Sequence, residues 1–446
     1  MLYKLHTNIL IVGVLAMGFL MVMTYERSLC PMTIGTFVAF ITQMCLLISF
    51  AQEKVDSYSE KTLFYIVLFY SVILAFIFMW ISYYHAGDTF MFNKTDAMFY
   101  FKNSIRVVDI GLVANFERLM IEYDYEDWGG LLIDTLLLAI IPYKLFVNAV
   151  YILTGAISSV MLFKMGSHFM PEKFAFEAAL AYGTSSFLVL FHCTFLKESF
   201  FVFFVICAMF YFYRAITEGK YWSYIWTILF IVLVALFRPA VSAMIVMGFV
   251  IYYAITQRGT ALSFFLYLIT AALFVVSLAS LQGMTDRYAG GGDIEGMADR
   301  SSVENYSSGF SYFVSLFAGP FGPFPTLFPK EAGDPGTLNY YGSGLTYRLF
   351  LVVPFWAGVV YAIKRHKVEL IPMIGFTVIE MLTTGIALAS LELRKVLMHV
   401  PFTFILSFFG LYQWKTSNVT GTSQIFFELS WFVVAIAILV VWNIIR

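Results

Sequence analysis

Residues Thr62–Tyr83 read TLFYIVLFYSVILAFIFMWISY, an apolar stretch without a charged side chain. Wound as a helix at about 1.5 Å per residue, it reaches across the ~30 Å hydrocarbon core of a bilayer. A barrel strand would instead alternate apolar and polar residues over short segments, and that pattern is absent. Charged residues make up only 12% of the 446-residue chain, against about 25% in soluble proteins. The fold class is therefore an all-α polytopic membrane protein.

Working outward, twelve further apolar runs give about 13 transmembrane helices in all. Asn8–Tyr25 and Pro31–Ala51 precede the quoted stretch. Tyr143–Phe163, Phe174–Phe195, Ser199–Tyr213, Tyr221–Phe237, Pro239–Thr256 and Ala261–Leu281 follow it. Thr346–Ile363, Val368–Leu391, Val396–Trp414 and Gln424–Ile445 complete the set. Asn8–Tyr25 lacks a small-x-small cleavage site and reads as a retained helix. The whole chain, 1–446, reads as a single transmembrane domain. The piece Leu131–Ile141 is apolar but too short to span upright, and reads as an interfacial or re-entrant helix.

Lys and Arg in short loops set orientation. An N-terminus inside places Lys54, Lys61, Lys164, Lys173, Arg214, Lys220, Arg258 and the cluster Lys364–Lys367 in the cytoplasm. Two long polar stretches, 84–142 and 282–345, then become exoplasmic loops carrying short interfacial helices. Loops of that length are uncommon unless functional or disordered. A net charge of −1 provides no field to attract nucleic acid. Cys30, Cys45, Cys193 and Cys207 form no C-x-x-C pair, and His85 and His192 lack ligand spacing, so the metal assignment is none.

The charges that do accompany the runs cluster at their exoplasmic ends. Helical spacing puts Asp96, Tyr100 and Asn103 on one face. A carboxylate there has the chemistry to take a proton from a sugar hydroxyl; the same position equally suits an acid favouring its helix dipole. Lys197-Glu198, Arg238-Pro239 and Arg394-Lys395 each stand at the start of a helix, and Arg348 follows the second loop. Their two readings are snorkelling at the interface and a clamp for a phosphate or diphosphate. Glu380 reads as the one carboxylate near mid-membrane depth, either a paired structural acid or a proton site.

Several short motifs, in this order, resemble the multipass glycosyltransferases of the GT-C superfamily and related surface-polysaccharide (O-antigen or capsule) polymerases. They are Asp96 with Tyr100, the Gly-rich turn Trp128-Gly129-Gly130, Phe195-Leu196-Lys197-Glu198-Ser199, Phe237-Arg238-Pro239, Gly322-Pro323-Phe324-Pro325 and Leu393-Arg394-Lys395. The resemblance covers about Tyr84 to Trp414. It departs from the pattern in two extra N-terminal helices and in lacking a paired D-x-D. It implies a polyprenyl-(di)phosphate-linked sugar donor and a glycan acceptor, in contact with membrane lipid at a bacterial inner membrane. On that basis Asp96 is the catalytic base, and Lys197, Arg238, Arg348, Arg394 and Lys395 hold phosphate. Tyr100, Asn103, Trp128 and Glu198 position the substrate. No resident cofactor is indicated, and a divalent cation stays compatible. The alternative is a transporter or flippase of lipid-linked oligosaccharide, which Glu380 suits.

Overall fold

The structure, a computed structural model, describes residues 1–23, 31–53, 58–90, 96–123, 128–257, 259–290, 325, 327, 342–388, 397–416 and 421–445. Among these residues every regular element is helical. Three long helices come first: α1 (Leu2–Met23), α2 (Pro31–Gln52) and α3 (Glu60–Ala86). Four short ones follow: α4 (Asp96–Ile105), α5 (Val107–Ile110), α6 (Leu112–Glu122) and α7 (Trp128–Ile140). Next are α8 (Lys144–Ser167), the pair α9 (Glu172–Gly183) and α10 (Ser186–Cys193), and α11 (Glu198–Glu218). They lead to α12 (Trp222–Phe237), α13 (Pro239–Thr256) and α14 (Ala261–Gly290). The last set is α15 (Gly342–Phe350), α16 (Val352–Lys364), α17 (Ile371–Leu388), α18 (Val400–Thr416) and α19 (Gly421–Ile445).

Local chemistry sets the element ends. The Ser59 hydroxyl accepts from the Thr62 N–H to cap α3, and Gly87 closes it in the left-handed conformation at φ 72°. Pro239 opens α13, where its missing N–H removes no helical bond.

Six described helices are long and apolar enough to cross a membrane, or eight if each bent pair is one span. About thirteen were expected. Part of the difference lies in runs whose side chains are described over shorter stretches, such as Ala261–Ser277 and Leu429–Ile444, and part in the runs Phe174–Phe195 and Thr346–Ile363. The latter two are broken helices, bent by 46° between α9 and α10 and by 48° between α15 and α16. The run Tyr221–Phe237 gives a 16-residue helix, about 24 Å long and short of the hydrocarbon thickness. The run Ala261–Leu281 extends further than expected, since α14 continues to Gly290 through residues assigned to the second loop. Most of the expected 282–345 loop otherwise lies outside the described residues, as do Arg394 and Lys395.

At the centre of the bundle α9, α10 and α18 are almost wholly buried, whereas α3 exposes Phe69, Phe76 and Trp80. Gly358 of α16 and Gly410 of α18 let the two backbones meet, each against a carbonyl of the other helix. Polar ties show which segments share an end. At the lower end, Lys164 pairs with Glu60 at 2.9 Å and Lys173 donates to the Ala51 carbonyl at 2.5 Å. The Met1 ammonium lies there within electrostatic reach of Lys173 and Lys415. At the upper end, Lys144 donates to the Thr89 carbonyl at 2.5 Å and the Cys193 carbonyl at 3.1 Å. Leu327 N–H donates to Asn443 Oδ1 at 2.8 Å, and Thr33 donates to the Leu327 carbonyl at 3.3 Å. Because Lys144 opens α8 and meets Thr89, the chain from α4 to α7 begins and ends at the same end of the bundle.

Candidate functional site

Lys197 enters the upper end through a tight turn after α10. Phe195 in that turn has φ 63°, the left-handed region that a bulky side chain rarely adopts. Its ring explains why glycine does not stand here: it packs edge-on to Phe101 of α4 at 5.3 Å and lies 6.2 Å from Tyr151 of α8. Lys197 and Glu198 follow, both buried, with Glu198 in the first turn of α11 where a carboxylate suits the helix dipole.

α7 wedges between the two cationic turns. A Cβ on Gly130 would stand 2.6 Å from Lys197 Cβ, and one on Gly129 would stand 2.8 Å from the Leu236 carbonyl oxygen and 2.9 Å from the Phe237 ring. Only glycine lets the start of this helix lie against both turns. Phe237 stacks on Phe201 at 5.3 Å, and the Arg238 guanidinium sits 5.6 Å from that same Phe201 ring. Lys197 Nζ lies 5.6 Å from the Tyr100 ring of α4. Asp96 is one turn before Tyr100, partly buried at the start of α4. Trp128 is the first residue of α7, next to the glycine pair. Thus Lys197, Glu198, Arg238, Tyr100 and Trp128 gather around one junction, with Asp96 on the helix that reaches it.

Two expected members are engaged elsewhere. Asn103 Oδ1 accepts from Arg118 at 3.2 Å, and its backbone carbonyl accepts from Arg118 at 3.0 Å and Asn115 at 3.3 Å. Asn115 also bonds Thr135 of α7 at 3.4 Å. Asn103 therefore helps brace α4 against α6, which Asn115 in turn ties to α7. Arg348 donates to His399 Nε2 at 3.2 Å, while His399 Nδ1 meets Glu380. All three are buried. Since guanidinium only donates, His399 Nε2 must be the acceptor, so its proton sits on Nδ1 and faces the Glu380 carboxylate.

Other polar groups had no place in the sequence reading. Asp134, inside the short apolar run Leu131–Ile141, is fully buried, and Tyr151 donates to its Oδ1 at 2.6 Å. Glu177 joins Glu380 as a deeply buried acid, with His6 Nε2 at 3.2 Å and Tyr347 at 3.5 Å from His6 Nδ1. The one signal available was a lone carboxylate within each apolar run. Among the described residues no group of three or more His, Cys, Asp or Glu is arranged to hold a metal ion. No family model, curated protein or solved structure matches the chain.

Proposed function

We propose that this multi-pass membrane protein is a glycosyltransferase or polymerase that moves sugar units from a polyprenyl-(di)phosphate-linked donor during cell-surface polysaccharide synthesis. The observation that carries the reading is the junction at α7, where two cationic turns from distant parts of the chain meet the helix bearing Asp96 and Tyr100. The upper end is the exoplasmic face in this reading, and the membrane is the bacterial inner membrane. Lys197 and Arg238 face the donor phosphate, whose negative charge grows as the bond between the anomeric carbon and the phosphate oxygen breaks. Fixed cations in a partly dry site stabilise that charge without reorganising. The acceptor hydroxyl oxygen forms the new bond to the anomeric carbon, and Asp96 takes its proton. Tyr100 and Trp128 offer aromatic faces for sugar rings. Asp96→Asn, purified and reconstituted with lipid-linked donor, is expected to lose transfer while still inserting and folding. Wild-type turnover by that variant removes the assignment.

A second reading, export of lipid-linked oligosaccharide, draws on the buried rows Glu177–His6–Tyr347 and Arg348–His399–Glu380. Ionisable groups spread through a bundle core suit a transporter. Measuring product formation and donor movement side by side in sealed vesicles separates the two.

A further inference from the structure

Asp134 lies on α7 four residues after Gly130, hence on the same face and one turn further along the helix. Gly130 touches Lys197, so this carboxyl is one turn from the lysine that the proposed function assigns to the donor phosphate. Its Oδ1 accepts from Tyr151, and its Oδ2, equally buried, has no hydrogen-bond partner among the described residues. Tyr151 in turn packs edge-on to Phe200 at 5.1 Å and lies within electrostatic reach of Glu198 and Tyr100.

The charge balance around this junction is the problem to be solved. The turns and helix starts that form it carry two cations, Lys197 and Arg238, and two acids, Glu198 and Asp96, so the charges already match in number. A further ionised carboxyl one turn from Lys197 would repel any phosphate brought there. An ionised carboxylate with one buried oxygen unbonded is itself strongly disfavoured, whereas a carboxylic acid carries its proton on that oxygen.

We propose that Asp134 is a positioning residue of this site, kept as a neutral acid behind Lys197, and that its deprotonation weakens binding of the donor phosphate. The proposal rests on the reading of the site as a phosphate-binding junction. Burial pushes the Asp134 carboxyl up to about 7, and the Tyr151 hydrogen bond opposes that rise. The charged and titratable groups on the elements packed around it include Asp96 and Tyr100 of α4, Asp109 of α5, Arg118 of α6, Tyr151 of α8, Lys197 and Glu198 at α11, and Arg238 between α12 and α13. Glu198 is the competing source of a similar pH effect, and the variants below distinguish it.

The test measures binding of farnesyl diphosphate to the full-length protein in nanodiscs from about pH 5.5 to about pH 8.5. The wild type should bind about tenfold more weakly at the alkaline limit, beyond the titration of the ligand alone. Asp134→Asn should remove that extra decline and bind at alkaline pH as the wild type does at acid pH. Tyr151→Phe, which deletes the bond favouring the anion, should move the midpoint to higher pH and serves where Asp134→Asn does not fold. Lys197→Ala should bind weakly throughout. An unchanged decline in Asp134→Asn, or an unmoved midpoint in Tyr151→Phe, overturns the proposal. If the wild type and Lys197→Ala both fail to bind at every pH, the phosphate reading of the junction falls, and this proposal with it.

Discussion

Gly130 of α7 lies so close to Lys197 that a methyl group in place of its hydrogen would stand 2.6 Å from the lysine Cβ. That neighbour is the root of the side chain and cannot swing aside, so helix and turn must separate to admit it. Gly130→Ala is expected to lower stability by about 1–3 kcal/mol and to abolish transfer. Thermal melting in detergent and a transfer assay read the two effects. Gly18→Ala is the control, because nothing lies within 4 Å of the added Cβ there. A Gly130→Ala protein that melts and turns over like that control refutes the close fit.

The two cationic turns should matter in the transition state more than in the ground state. Lys197→Ala and Arg238→Ala are each expected to reduce kcat by about a hundredfold, with smaller changes in KM. A raised KM with unchanged kcat would show that the cations only hold donor, and contradict a role in leaving-group stabilisation.

Arg118 and Asn103 should behave as one structural unit. Removing either partner leaves buried polar atoms without their bond, at about 1–3 kcal/mol. The double variant Arg118→Ala with Asn103→Ala should therefore cost clearly less than the sum of the single changes. Hydrogen exchange in α4 and α6 would report the loosening. Additive losses, together with a KM effect of Asn103→Ala that persists without Arg118, would return Asn103 to the substrate.

His399 stands between a buried guanidinium and a buried carboxylate. Deleting it strands both charges, so His399→Ala is expected to destabilise by about 3–5 kcal/mol. Glu380→Gln keeps the shape and an acceptor. In a transferase it should turn over close to the wild-type rate; in a proton-driven exporter it should stop donor movement. A vesicle assay of both quantities decides which.

Hydropathy alone made the helical class legible, since apolar length is a local property. That the turns carrying Lys197 and Arg238 both border α7 was foreshadowed by both standing at helix starts on one expected face. What joins them, Gly129 and Gly130 against Leu236 and Lys197, depends on partners far away in the chain. Asn103 shows the same limit: helical periodicity gives a face but not that Arg118, fifteen residues on, bonds the residue there. Asp134 escaped notice because one carboxylate barely alters the apolarity of its segment. The bend between α9 and α10 was equally hidden, as broken and straight helices of the same composition have the same hydropathy.

The Lys144–Thr89 contact fixes the parity of the chain. With α4 to α7 contributing no net traverse, the bookends separate: Met1 gathers with Lys173 and Lys415, while Asn443 gathers with Thr33 and Leu327. Reporters fused ahead of Met1 and after Arg446 should accordingly light up in opposite compartments.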